Sequence, residues 1–286
     1  MRRPVRQRGV ALLLVLWACT LLAILLGGYA VLARTQALQT RYQFAQTRAH
    51  YAAEAGVMRA IYAVEDPLPL RRWVGDGRVY PFRFDGAAVS VAVTDEGGKV
   101  DLNTATPEVL QRLFHAAGLD IAAANELAAR VVAWRSFPRP GIELADDRAA
   151  YAAAGRDYGP RHGPFASLQE LQLVLGMTPQ LYRKIEPVIT IWSGQAFPDP
   201  NTAPPLALAA IPGLDPQQLQ ALKAARERNS REAAPAIGGG ITHSIRAEAV
   251  LADGTRAVIR ATVRFQAGGM TAQPYRVLRW QEGDEE

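Results

Sequence analysis

Residues 10–33 read VALLLVLWACTLLAILLGGYAVLA and residues 34–66 read RTQALQTRYQFAQTRAHYAAEAGVMRAIYAVED, and these two stretches decide the fold. The first is 24 residues without a charge. As a helix at about 1.5 Å per residue it is about 36 Å long, enough to cross a hydrocarbon core of about 30 Å. The second contains no proline and no glycine before Gly56. In it Leu38, Tyr42, Ala45, Ala49 and Ala52 recur at three- and four-residue steps, the spacing of one helix face. Asp66-Pro67 supplies the stop. One helix is therefore expected from Val10 to about Val64, half in lipid and half packed on a soluble body.

Arg2, Arg3, Arg6 and Arg8 stand before the apolar run, and the positive-inside tendency keeps that end cytoplasmic. Three readings compete. A cleaved secretory signal finds a small-residue site at Val31-Leu32-Ala33, but the run exceeds the ~7–15 residues of a usual signal core. A plain membrane anchor explains the length and nothing else. The third reading rests on Arg8-Gly9-Val10, where a basic leader ends in glycine at the membrane face. A peptidase cutting there needs a residue without a side chain at the scissile position, and the segment resembles a type IV prepilin leader. A signal peptide has no reason to continue into a second amphipathic helix, so residues 34–66 favour this third reading.

The chain has 286 residues, room for one large domain or two modest ones. Its net charge of +5 suggests nucleic acid until the charges are located. Without the four leader arginines the body carries 28 basic against 27 acidic residues. A nearly neutral body has no excess charge with which to release counterions from a polyphosphate, so no nucleic-acid partner is expected. The single cysteine, Cys19, lies inside the apolar run and forms neither an intramolecular disulfide nor a thiolate cluster.

Past the helix, Arg78–Phe84 and Ala87–Thr94 flank Asp85-Gly86, which suits a tight hairpin turn. Asp95-Glu96-Gly97-Gly98 makes a second turn before a strand at Lys99–Asn103. At the carboxyl end Ile241–Leu251 and Thr255–Phe265 flank Asp253-Gly254, and Tyr275–Gln281 reads as a last strand. Ala257, Ile259, Ala261, Val263 and Phe265 alternate with Arg256, Arg260, Thr262 and Arg264, a half-buried antiparallel pattern. The sequence between is helical: a helix from Thr106-Pro107 through Phe114, a second at Ala122–Trp134, and further ones at Ser167–Leu175, Thr178–Pro187 and Asp215–Asn229. A long loop is expected at 135–166. Asp101-Leu-Asn-Thr-Ala-Thr-Pro echoes Asp199-Pro-Asn-Thr-Ala-Pro-Pro, read either as local capping by Asn-Thr or as a duplicated helical unit.

Candidate sites are few. Leu175-Gly176-Met177-Thr178-Pro179 and Ile211-Pro212-Gly213-Leu214-Asp215 have the shape of helix-hairpin-helix turns, which grip phosphates with N–H groups at a helix start. Asp215 would face the anion, so a structural hairpin is the better reading. His50, His115, His162 and His243 are scattered, and no HExxH, GxSxG or GxxxxGK[ST] pattern is present, so an enzyme is not expected. Glu143, Asp146, Asp147 and Asp157 are candidates for a calcium site in the long loop, set against a solvated acidic loop offset by Arg148 and Arg156.

RGVALLLVLW at 8–17, TDEGGKVDLNTA at 94–105, FASLQELQLVLGMTPQLYRKIEPVIT at 165–190 and PNTAPPLALAAIPGL at 200–214 together resemble, in order and over most of the chain, the minor pseudopilin K family of type II secretion systems. The resemblance implies an α+β protein: leader 1–9, transmembrane helix 10–33, pilin-like helix and first strands 34–103, inserted all-helical domain 104–235, and C-terminal strands 236–286 of a pilin-like antiparallel sheet. It implies cleavage between Gly9 and Val10 by the prepilin peptidase, then methylation of the Val10 amine. It also implies a single-pass inner-membrane protein with a periplasmic body. That body would assemble with minor pseudopilins I and J, and H beyond them, on a fibre of the major pseudopilin G. Leu14 takes the fifth mature position, where most pilins carry glutamate and this family characteristically lacks it. The family's loop after the second helix carries a denser Asp/Asn set than the Arg-Ser-Phe-Pro-Arg-Pro that follows Trp134 here, so no metal ligand is carried over and no other cofactor is implied. A minor pilin of a type IV pilus and a membrane-anchored periplasmic enzyme are the alternatives.

Overall fold

Helix α1 runs Arg8–Val64, 57 residues without a break, in a computed structural model. The structure describes residues 8–68, 70–137, 148–214, 217–218, 220–222, 224, 241–266 and 274–283. At about 1.5 Å per residue α1 is about 85 Å long, far longer than the body it enters. Its last third lies on a five-stranded antiparallel sheet of order β1-β2-β5-β6-β7. The strands are β1 (Asp76–Phe84), β2 (Ala87–Asp95), β5 (Thr242–Val250), β6 (Arg256–Phe265) and β7 (Tyr275–Glu282). The β1–β2 turn uses positive φ at both Asp85 (46°) and Gly86 (78°), the mirror-image turn whose twist matches the strands.

A face of small residues brings helix and sheet together. Ala49, Ala52, Ala53, Val57, Ala60 and Ile61 pack on Val89, Val91, Ile245, Ala247, Ile259 and Ala261. The approach is closest at Gly56, where an added Cβ would stand 3.0 Å from both the Ala247 and Val89 side chains. Arg48 ties the near end of α1 to the β1–β2 turn, donating from Nη2 to the Asp85 carbonyl (2.8 Å) and carboxylate (3.1 Å).

Among the described residues, everything helical beyond α1 lies in sequence between β2 and β5. Helix α2 (Pro107–Ala116) starts at Thr106, whose hydroxyl accepts from the Val109 N–H, with Pro107 in the first turn. Helix α3 (Ile121–Arg135) is capped by Asp120 through the Ala123 N–H at 2.8 Å. A second hydrophobic core, separate from that of the sheet, gathers Leu110, Leu113, Phe114, Leu127, Val131 and Ile185 among others.

The expected long loop at 135–166 contains a helix, α4 (Arg148–Ala153), organised around the fully buried Tyr151, whose hydroxyl accepts from the Leu175 N–H at 2.9 Å. Ser167–Leu175 folds as a tighter 3-10 turn, Gln169–Leu173, rather than an α-helix. Helix α5 (Pro179–Ile185) is capped by Thr178 and ends in a 3-10 turn at Glu186–Val188. The strand expected at Lys99–Asn103 shrinks to β3 (Val100–Asp101), which pairs in parallel with an unanticipated β4 (Ile189–Thr190). A short α6 (Pro205–Ala209) follows. Most of the helix expected at Asp215–Asn229 lies outside the described residues.

Candidate functional site: the anchored helix and the joint behind it

Gly9 and Val10 lie in the first turn of α1. From Val10 onward the helix is apolar enough to cross a membrane, with an 18-residue window of mean hydropathy 2.7 of which 0% is buried against the protein. Leu14, one turn beyond Val10, is 66% exposed. The face expected from Leu38 to Ala52 divides: Ala49 and Ala52 are buried, Ala45 is half-buried, and Leu38 and Tyr42 are 58% and 63% exposed beyond the edge of the sheet. Phe44 and Tyr51 are exposed as well. The helix thus carries apolar surface past the end of its own body.

The segment TDEGGKVDLNTA forms the joint between the sheet and the helical insertion. Asp95 ends β2 and its carboxylate accepts from the Gly97 N–H at 2.7 Å. Glu96, 2% exposed, takes the Lys99 ammonium at 2.7 Å. Gly98 must be glycine: a Cβ there would lie 2.5–2.7 Å from the backbone of Thr202 and Ala203. The loop at 199–203 docks on this turn, with the Asp199 N–H donating to the Gly97 carbonyl at 2.8 Å. Buried Asp101 then accepts from Asn103 N–H with one oxygen and from Gly194 N–H (2.8 Å) and the Ser193 hydroxyl (3.2 Å) with the other.

The echo at 101 and 199 is one structure used twice. Asp101 and Asp199 each accept from the N–H two residues on, at 2.8 and 2.9 Å, and each carbonyl accepts from the alanine four residues on. Asn-Thr is not the helix cap that the sequence suggested. Asn103 instead clamps the Phe165 backbone, donating to its carbonyl (3.1 Å) and accepting from its N–H (2.7 Å), and Thr106 caps α2.

The sequence alone assigns no role to three further residues here. Arg135, at the end of α3, donates to the carbonyls of Leu102 and Ala105. Burial lowers its pKa and Asp101 works in the opposite direction. Glu170 accepts from the Trp134 indole (2.9 Å), the Ala166 N–H (2.8 Å) and Arg161 (2.9 Å). Burial opposes its ionisation, but these donors outweigh it and hold the carboxyl below its ordinary range. His243 faces Asp95 across the β2–β5 ladder and is 3% exposed. Burial lowers its pKa against the pull of Asp95, Glu65 and Glu96, and its Nδ1 has no hydrogen-bond partner. None of these contacts has a sequence period. The Asp101/Asp199 repeat was the one available signal.

Of the metal candidates, Glu143, Asp146 and Asp147 lie outside the described residues, and Asp157 is exposed beyond α4. Among the described residues no three His, Cys, Asp or Glu gather at metal distance. At the Gly176 turn (φ 95°) the nearby cation, Arg130, spends a donor on the Leu175 carbonyl at 3.3 Å. The turn at 211–214 has Gly213 at φ 78°, and Asp215 lies outside the described residues.

Residues 89–194, from β2 through the joint to the loop after β4, match the family model described as Type II secretion system (T2SS), protein K. Over those residues the chain is similar to the protein K family of type II secretion. Type II secretion system protein K of Klebsiella pneumoniae is 25% identical over 251 residues, covering 80% of this chain and 76% of that protein. The fold is shared with a chain in the crystal structure of the GspK-GspI-GspJ complex from the enterotoxigenic Escherichia coli type 2 secretion system. There the TM-score is 0.57 at 18% identity, over 88% of this chain and 100% of that one. Together these similarities support a minor pseudopilin role in type II secretion. The matched residues include the joint, with Gly98, the Glu96–Lys99 ion pair and the carboxylates of Asp95 and Asp101.

Proposed function

We propose that this minor pseudopilin is a noncatalytic inner-membrane subunit that initiates or caps the tip of the secretion pseudopilus and so supports protein export across the outer membrane. It spans the membrane once, with its amino end cytoplasmic and its body periplasmic. The prepilin peptidase cuts between Gly9 and Val10, where a side chain would obstruct the scissile position, and the new Val10 amine is methylated. The tip partners are minor pseudopilins I and J, and H beyond them, above a fibre of the major pseudopilin G. The similarity of fold to a chain of the GspK-GspI-GspJ complex supports the choice of I and J.

The observation that carries the reading is α1. Its exposed apolar surface continues from the membrane segment through Leu38, Tyr42 and Phe44, so a neighbouring helix has something to pack against outside the lipid. At Leu14 the helix lacks a carboxylate. A carboxylate in lipid is costly unless paired, and in a pilin fibre it meets the free amine of the subunit ahead. A subunit with nothing ahead has no amine to meet. The insertion between β2 and β5 adds bulk that a closely packed fibre would exclude, and a tip position removes that conflict.

Co-purification from membranes tests the reading. The full-length chain should bring down minor pseudopilins I and J, and Leu14→Glu should be cleaved normally but lower pseudopilus initiation. Normal initiation by Leu14→Glu, with partners retained, would contradict the role given to Leu14. Loss of surface pili rather than of secretion on deletion would point to a type IV pilus instead.

A further inference from the structure

The face of the sheet opposite α1 forms one wall of a cleft of about 400 Å³ whose other wall is the helical insertion, contributing Leu168, Gln169, Glu186 and Pro187. A second cavity of about 220 Å³ shares Leu168, Gln169 and Arg279 with it and prolongs the cleft along the same seam. The register shows how the sheet side is built. Thr94 faces Ser244, Ser244 faces Thr262 and Thr262 faces Arg279, which makes one row across four strands. In the neighbouring row Ala92 faces Arg246, Arg246 faces Arg260 and Arg260 faces Gln281. With Gly77 of β1 the cleft touches all five strands. Four strand-to-strand steps of about 4.8 Å make it about 19 Å long, the span of about six residues of extended chain.

The charges in this cleft break a rule of sheet construction. Arg246 and Arg260 stand directly opposite on adjacent strands, where like charges destabilise the pair. Arg279 sits diagonally from Arg260, and Lys99 lines the same cleft. Acids hold these groups in part: Glu248 accepts from Arg246 at 2.9 Å and Glu96 from Lys99 at 2.7 Å, and Arg246 and Arg260 each make a further contact. Glu248 is shared with Arg256 at 2.6 Å, and Glu186 is the single acid among the described lining residues. Three guanidinium groups are thus concentrated on one patch of sheet inside a walled slot. Guanidinium forks match carboxylates bidentately, and an anion lying between two of them relieves their repulsion.

The geometry points to a binding site for an extended acidic peptide segment of a partner protein. The segment is about six residues long, with carboxylates at alternate positions directed at Arg246, Arg260 and Arg279. In an extended chain alternate side chains share one face, so the remaining positions meet the wall formed by Leu168 and Pro187. A slot walled on two sides suits a polypeptide strand, whereas a bilayer surface is planar. The inference uses only the cleft and its charges, and it stands whether or not the tip assignment does.

The test uses the detergent-solubilised full-length chain and a fluorescein-labelled hexapeptide of alternating glutamate and alanine, read by anisotropy. Saturable binding is expected, weakening with salt, and a lysine–alanine counterpart should not bind. Arg260→Gln with Arg279→Gln should weaken binding about tenfold or more, the loss of one good charge-assisted contact. Arg112→Gln, on the exposed face of α2, should change nothing. If the glutamine pair does not fold, Arg260→Lys with Arg279→Lys decides, because it keeps the charge and loses the fork: weaker binding supports the site. Absence of saturable binding, equal binding of the basic peptide, or unchanged affinity in the variants would overturn the proposal. Displacement of the peptide by phosphatidylglycerol or polyphosphate at lower concentrations than by unlabelled peptide would also overturn it, in favour of a lipid or phosphate site.

Discussion

The two ends of α1 are one helix written in two alphabets. From Val10 to Leu32 the surface is Leu, Val and Ile with almost no burial, and the two glycines of this part, Gly27 and Gly28, have nothing within 4 Å of where a Cβ would stand. From Ala49 to Val64 the buried face is mainly alanine, and Gly56 is pressed against Ala247, Val89 and Val91. The difference follows from the partner. Lipid is fluid and accepts any apolar bulk, so side chains there are large and unspecific. A sheet is rigid and close-packed, so contact with it selects for small residues that let the backbones approach. Between the two, Leu38, Tyr42 and Phe44 stand large, apolar and exposed among Gln39, Thr40, Arg41 and Gln43, beyond the membrane length, which is why they read as surface for other subunits.

Breaking this comparison at its ends gives the largest effects. Gly9→Val should abolish processing altogether, because the added side chain blocks the peptidase, and intact mass would show the leader retained. Gly56→Leu should cost about 3 kcal/mol of stability in thermal unfolding, since overpacking forces either α1 or the sheet to shift. Gly27→Leu on the same helix should stay within about 0.5 kcal/mol, having free space around it. Equal effects of the two would undo the contrast.

At the joint, Glu170→Gln should cost about 2 kcal/mol by removing the charge that Arg161, Trp134 and Ala166 serve. Because the folded state holds this carboxyl low, its contribution is complete above the unfolded value and is lost as pH falls through the folded one. His243 acts over a higher range. Its folded-state value is lowered, so protonation favours the unfolded chain, and stability should decline as pH falls below about 6.5. Thermal unfolding against pH reads both, and His243→Gln should flatten the upper part of the slope. Smallest in stability is the double change Leu38→Ala with Tyr42→Ala. It should leave unfolding within about 0.5 kcal/mol but reduce co-purification of the partner pseudopilins.

Much of this architecture is legible in the chain because it depends on local rules. The charge-free run, the three- and four-residue face of α1, Asp85-Gly86, Asp253-Gly254, and Thr106-Pro107 each act over a few residues, and each lies where its own chemistry puts it. The failures are of another kind. Tyr151 builds a six-residue helix through one long-range bond to Leu175, too short for any period to show. β3 and β4 are two residues each and exist because the joint brings them together. Asn103 looks like a cap, yet its partner, Phe165, is 62 residues away. The exposed half of the predicted face of α1 kept its period and lost its burial, since periodicity states that a face is apolar and not what covers it. For the same reason the Arg246–Arg260 pair, obvious in the register, cannot be seen in the strands taken singly.

The central claim is that α1 is a pseudopilin helix and not a signal or a simple anchor. The intact mass and amino-terminal sequence of the protein extracted from membranes test it most directly. A chain beginning at N-methylated Val10 is the predicted result. A chain beginning at Arg34, or one that keeps its leader, would contradict it.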